Sequence, residues 1–204
     1  LRLKGKQVME IKNNKGNRKE RNISLETYVI NKKTLLKLIS YAQKISSFFN
    51  LRDTLAYLCD ERKIMAYEYK GFARCIDSYE AYYKVSMEFL DMDISTQVFK
   101  STWPIFTNTN DTPPTKYLKN AVVKKSFVAN GAIIDGEVDG CILSRNVTIG
   151  KNAVVKNCII LNGSKVCAGA HLENVVIDKD ARVEKKTELI GEGEPLYVKE
   201  GDVV

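Results

Sequence analysis

VDGCILSRNVTIGKNAVVKNCIILNGSKVCAGAHLENVVIDKDARVEKKTEL, residues 138–189, decides the fold of most of this 204-residue chain. Its aliphatics Val138, Leu143, Ile149, Val155, Ile160, Val166, Leu172, Ile177, Val183 and Leu189 recur at steps of 5, 6, 6, 5, 6, 6, 5, 6 and 6. Three short steps therefore make a unit of 17 residues. Two residues before an aliphatic, on the same strand face by the period of two, stands a small or short side chain: Ala153, Ser164, Ala170, Ala181 or Thr187. The five-residue step repeats almost as text, in VKKSFV (123–128), VDGCIL (138–143), VKNCII (155–160) and LENVVI (172–177). Such hexapeptide repeats predict three short strands per turn, stacked into a parallel β-helix of triangular section. The aliphatics fill the axis of the prism and the small residues fit its corners.

The repeat also accounts for two of the five cysteines. Cys141 and Cys158 are 17 apart and fall in one inward file with Ser126 and Val175. Rungs stack roughly 4.8 Å apart, so distance alone does not exclude a disulfide, but the file takes any small residue and packing of reduced thiols is the expectation. An odd cysteine count, wide spacing and the lack of a CxxC pair argue for reduced thiols in a cytoplasm. The single histidine, His171, points outward by the same period. It is the only candidate general base for the acyltransferase chemistry that hexapeptide helices often carry, and no long loop lies near it to build an acyl-donor pocket.

Upstream, three of the four prolines fall in WPIFTNTNDTPPTKY (103–117), which marks a boundary. The expected organisation is an α/β portion over 1–94, a proline-rich linker over 95–118 and the β-helix over 119–204. In the first portion ISLETYVI (23–30) alternates like a strand, and KIMAYEYKGFARCI (63–76) reads as two short strands bent at Gly71. KKTLLKLISYAQKI (32–45) and NLRDTLAYLCDE (50–61) carry leucines at helical spacing, with Leu51, Leu55 and Leu58 on one face. Asp77 or Ser78 caps a further helix in DSYEAYYKVSMEFLD (77–91).

No apolar run approaches 18 residues, so no membrane span is expected. The opening LRLKGKQVMEI reads as the interior of a domain, so the chain is expected to be a fragment. Residues 1–40 hold eleven Lys/Arg against three Asp/Glu, leaving the remainder near neutral within a net charge of +7. Much of that excess lies in KNNKGNRKER (12–21), where no aromatic interleaves the charges as base stacking would require. A solvated loop is expected there rather than a nucleic-acid site.

Several segments together resemble glucose-1-phosphate adenylyltransferase. SLETYVI (24–30) is similar to the family's Ser-Met-Gly-Ile-Tyr strand, and GFARCIDSYEAYYKVSMEFLD (71–91) to its Gly-Tyr-Trp-Arg-Asp-Val-Gly-Thr segment and following helix. WPIFT (103–107), DTPPTKY (111–117) and VVKKSFVANGAIIDGEV (122–138) resemble its strap and first coils. The resemblance implies the C-terminal half of a Rossmann-like nucleotidyltransferase domain followed by a left-handed parallel β-helix of hexapeptide repeats. In that family ATP and glucose-1-phosphate yield ADP-glucose and pyrophosphate, with magnesium held by aspartates. The β-helix there serves subunit contacts and regulation.

The departures from the family pattern carry the functional expectation. The magnesium-ligating aspartate corresponds to Cys75, and the tryptophan before the arginine to Ala73, while Arg74 is kept. Magnesium demands hard oxygen ligands, and an ordinary thiol is soft and only about 3% ionised at pH 7. The Glu-Lys-Pro that holds the sugar phosphate becomes Asn13-Asn14-Lys15. Glu26 replaces the glycine beside the substrate-contacting Ser24, and FFNL (48–51) replaces His-Asp-Phe-Gly. These losses resemble the regulatory, GlgD-type subunit. The resemblance implies no catalytic residue and no resident metal in this chain. It leaves Ser24 and Arg74 as weak substrate contacts, and a catalytic subunit or a second copy as partner through the β-helix. It also leaves room for an anionic sugar phosphate or nucleotide as effector. The alternatives are an active adenylyltransferase, a redox role for Cys75 beside Arg74, and an acyltransferase using His171.

Overall fold

A computed structural model describes residues 1–12, 22–45, 50–184 and 188–204. Two compact units divide at 70/71.

In the first unit a hairpin, β1 (Arg2–Lys4) and β2 (Gln7–Glu10), turns at Gly5. Helix α1 spans Lys32–Lys44 and starts at Asn31, whose side chain accepts from the Lys33 N–H. Helix α2 spans Leu51–Leu58 behind the same kind of cap, Asn50 accepting from the Asp53 N–H. Each cap satisfies a backbone donor that the first turn leaves without a partner. Leu38, Leu55 and Leu58 form the buried centre, with Tyr28, Ile30 and Ile64 packed around it.

Sequence alternation predicts a strand at 23–30, but the chain there pairs with no neighbouring strand and turns at Glu26, and Ile23 and Val29 are exposed. A strand exists only where a neighbour takes its N–H and C=O groups. Of the segment 63–76 only a short part meets that condition, where Val8 and Ala66 donate to Ile64 and Lys6 (2.9 and 2.7 Å) around a Gln7–Met65 bridge.

In the second unit the predicted solenoid is present. Three five-stranded parallel sheets form its faces. Face A holds Lys116–Tyr117, Ile133–Ile134, Thr148–Ile149, Lys165–Val166 and Arg182–Val183. Face B holds Val122–Lys124, Glu137–Asp139, Val154–Lys156, His171–Glu173 and Glu188–Ile190. Face C holds Phe127–Val128, Ile142–Leu143, Ile159–Ile160, Val175–Ile177 and Leu196–Val198. Register pairs Val138, Val155, Leu172 and Leu189 rung on rung. All ten periodic aliphatics are buried, as are Ala153, Ser164, Ala170 and Ala181, whereas Thr187 lies outside the described residues. Each buried aliphatic contributes about 1.5–3 kcal/mol, so the axis is the dominant stabilising feature of this unit.

The textual repeat has a backbone cause. Lys125, Gly140, Asn157 and Asn174, the third residue of each copy, all take positive φ (44°, 62°, 49° and 55°) and turn the chain from face B to face C. Glycine and asparagine enter that left-handed region most readily.

Two boundaries differ from the sequence reading. The solenoid begins within the expected linker, because Lys116 and Leu118 already donate to Ala132 and Ile134 of the next rung (both 2.8 Å). The helix expected after Ser78, here α3 (Tyr79–Glu88), is grouped with the solenoid, as is an unforeseen α4 (Met92–Val98). Ser78 is the cap, accepting from the Ala81 N–H at 3.1 Å. The reason for this grouping lies on face C.

Candidate functional site

Face C differs from the other two on its outside. Its outward file runs Phe127, Ile142, Ile159, Val176 and Tyr197, and Ile159 and Val176 are only 1% exposed. Outward aliphatics can be that dry only beneath a cover, and α3 is anchored beside them. The Tyr83 hydroxyl donates to the Asn157 carbonyl (2.7 Å) and the Tyr79 hydroxyl to the Leu196 carbonyl (3.1 Å). The Tyr79 ring packs edge-on against Tyr197, with centroids 5.3 Å apart. Burial raises both hydroxyl pKa values, that of Tyr83 to about 12. Both tyrosines therefore stay neutral donors throughout the physiological range.

The candidate residues from the sequence fall in different compact units, Ser24 in the first and Arg74 and Cys75 in the second. The Ser24 Oγ accepts from the Glu26 N–H (3.1 Å), closing a local turn. Glu26 itself has φ of 53°, a conformation glycine adopts freely and another residue enters at about 1–2 kcal/mol. The turn thus keeps a glycine-like backbone while presenting a carboxylate, which Arg52 of α2 holds at 2.9 Å. The Glu26 charge is thereby largely balanced, and it is the Glu26 backbone N–H that engages the Ser24 hydroxyl.

Arg74 is likewise committed. Its Nε donates to Glu88 of α3 (2.8 Å), its Nη1 to the Ala73 carbonyl (3.0 Å), and its guanidinium lies over the Phe72 ring at 4.5 Å. Phe72 packs on Phe89, which packs on Phe99. Arg74 therefore joins the 71–76 segment to α3, and its charge is largely balanced by a carboxylate.

Cys75 is exposed with a free thiol. Among the described residues no group of three or more His, Cys, Asp or Glu side chains is placed to hold a metal ion. The donors at 75 do not fit magnesium, since the position offers sulfur where a hard oxygen is needed.

His171 stands on the outside of face B as predicted, half-buried, with Nε2 enclosed and without a hydrogen-bond partner. That arrangement gives a general base no route for its proton. The counterparts of the sugar-phosphate clamp, Asn13-Asn14-Lys15, the basic run after Lys12 and Phe48-Phe49 lie outside the described residues. Among the described residues, one surface groove of about 340 Å³ lies along α1 and another of about 370 Å³ between α1 and α2, both mostly apolar. No helix among the described residues is long and apolar enough to cross a membrane.

The fold defines a hexapeptide-repeat β-solenoid protein, and a family described as GlmU-like, C-terminal hexapeptide matches residues 113–196. The glycogen biosynthesis protein GlgD of Bacillus subtilis is 40% identical over 179 residues, 87% of this chain and 52% of that protein. GlgD of Geobacillus stearothermophilus is 50% identical over 70 residues, 34% of this chain and 20% of that protein. A glucose-1-phosphate adenylyltransferase of Corynebacterium jeikeium is 32% identical over 124 residues, 60% of this chain and 30% of that protein. The chain belongs to the family of GlgD and the glucose-1-phosphate adenylyltransferases. It spans about half the length of the Bacillus subtilis relative and less of the other two.

Proposed function

We propose that this chain is the C-terminal portion of a non-catalytic, regulatory subunit of glycogen biosynthesis. It acts in the cytoplasm by modulating a catalytic glucose-1-phosphate adenylyltransferase that makes ADP-glucose and pyrophosphate. The observation that carries the reading is the 40% identity to a GlgD protein across most of the chain. The chemistry of the candidate positions supports it: a thiol at 75, an Arg74 balanced by Glu88 and a Ser24 hydroxyl engaged in a local turn with the Glu26 N–H. None of these favours metal-assisted phosphoryl transfer, so magnesium is assigned to the catalytic partner.

The effect on that partner is a coupling free energy between subunits, transmitted through the solenoid to a catalytic subunit or to a second copy. An anionic sugar phosphate or nucleotide is the effector class.

The test is pyrophosphate release from ATP, glucose-1-phosphate and magnesium. The complete protein is assayed alone, then with a catalytic homologue from the same organism. The expected result is no turnover alone and altered turnover or effector response in the mixture. Robust turnover by the protein alone would refute the reading.

A further inference from the structure

The sequence holds two Asn-Gly steps, Asn130-Gly131 and Asn162-Gly163, and the fold puts both at the corner that turns the chain from face C to face A. Both asparagines are exposed, and both glycines take positive φ (82° and 75°). The two corners are held differently. At the inner one the Gly163 N–H donates to the Arg145 carbonyl of the preceding rung (3.0 Å), and the Asn162 carbonyl accepts from the Asp180 N–H of the following rung (2.9 Å). Asn130 lies at the first such corner, where the bond from the following rung, given by the Asn146 N–H, is longer (3.4 Å). No rung precedes it: the Gly131 N–H donates to the Pro113 carbonyl (2.6 Å), and the Thr115 hydroxyl to the Ala129 carbonyl (3.1 Å). Pro113 and Thr115 belong to the stretch 104–115, which forms neither helix nor strand and is exposed over 104–111.

We propose that Asn130 is a site of spontaneous deamidation, opened by release of the 113–115 segment, and that Asn162 is its protected counterpart. Glycine lacks the Cβ that would hinder approach of its nitrogen to the preceding side chain. Once the Gly131 N–H leaves the Pro113 carbonyl, that nitrogen gives its proton to water or hydroxide and attacks the Asn130 Cγ. The new bond closes a succinimide, the bond from Cγ to the side-chain nitrogen breaks, and that nitrogen departs as ammonia after taking a proton from water. One water then opens the ring at either carbonyl, leaving aspartate or isoaspartate, with no oxidation or reduction. Either product places a carboxylate at the corner, and isoaspartate also adds a methylene to the main chain. The corner ends at Ala132, whose carbonyl seats the first strand of face A by accepting from the Lys116 N–H (2.8 Å). Conversion thus marks the end of the solenoid at which the chain enters it, and loosens the first strand there.

The experiment holds the complete protein at mildly alkaline pH, native and in urea. Peptide mass spectrometry follows the mass gained at 130 and 162 when an amide becomes a carboxyl. Each native rate is divided by the rate of the same site in urea, where neither corner is held. The folded chain should protect Asn130 about five- to tenfold less than Asn162, the effect of one missing rung bond. Thr115→Val removes the hydroxyl that ties the segment to Ala129, and should speed native conversion at 130 about three- to fivefold while leaving 162 unchanged. Three results would overturn the proposal. One is no conversion at Asn130 in the native protein after the urea sample has converted. Another is equal or weaker protection at Asn162. The last is an unchanged rate at 130 in Thr115→Val, or equal acceleration at both sites, which would place the opening in the solenoid as a whole.

Discussion

Replacing Ile159 by aspartate tests the claim that α3 covers face C. Ile159 points away from the solenoid axis, yet it is only 1% exposed. Removing a buried isoleucine side chain costs about 2–5 kcal/mol, and an aspartate there also leaves an unpaired carboxylate beneath a helix. The helix can undock instead, which limits the loss to the apolar area it buries. Either way Ile159→Asp should lower stability by about 3 kcal/mol or release α3. The control is Thr148→Asp, on the outward file of face A between Ile133 and Lys165. No comparable cover is needed there, and surface changes of this kind stay within about 0.5 kcal/mol. Urea unfolding followed by circular dichroism gives the stability, and limited proteolysis within 79–98 reports whether α3 is held. Equal midpoints and equal proteolysis for the two variants would refute the assignment of α3 to this face.

Other substitutions probe other links. A Cβ at Gly150 would stand 2.5 Å from the Ala168 nitrogen and 2.6 Å from the Cys167 carbonyl carbon, both backbone of the next rung. Gly150→Ala should therefore lower the thermal midpoint by several degrees, equivalent to about 2 kcal/mol or more; an unchanged melting curve would show that the rung can move. Asp178 accepts from the Tyr197 hydroxyl at 2.5 Å, which lowers its carboxyl pKa. A lowered folded-state pKa gives stability that is full above the ordinary carboxylate value of about 4 and is lost as pH falls through the folded value. Tyr197→Phe should flatten that acid limb of the stability profile by a small amount, since the carboxylate is mostly hydrated. Cys75→Asp in the complete protein should leave it without turnover, because Arg74 is still paired with Glu88. Recovery of magnesium-dependent pyrophosphate release by this single change would mean that position 75 alone silences the chain.

The solenoid was legible because in-register parallel stacking enforces a fixed repeat on side chains that must all reach one axis. The corners were legible as text without their cause, which is the positive φ at Lys125, Gly140, Asn157 and Asn174. The cover on face C was missed, although its signal was present. Every rung of face C, from Phe127-Val128 to Leu196-Tyr197-Val198, is apolar on both sides, whereas on faces A and B every rung except Ile133-Ile134 carries at least one polar side chain on its outside. A strand wet on one side does not read that way. The first unit was less legible because strand pairing there depends on neighbours distant in sequence, and alternation in 23–30 cannot say whether a neighbour exists. At the candidate site, Glu26 could be recognised as the replacement of a glycine, but only the structure showed that the glycine-like backbone survives and that Arg52 holds the new charge. Arg74 read as a retained anion contact because nothing in the local sequence announces Glu88, fourteen residues on, as its partner.

Helix α3 also works as a ruler. Its two hydroxyl anchors, one helical turn apart, reach storeys of the prism separated by two rung heights, from Asn157 through Asn174 to Leu196. Excising a block of 17 residues such as 155–171 would leave every remaining side chain on its proper side, whereas excising 16 would turn all those downstream inside out. Even the tolerated excision would be noticed, because the ruler would then span one storey too few and could seat only one of its two marks.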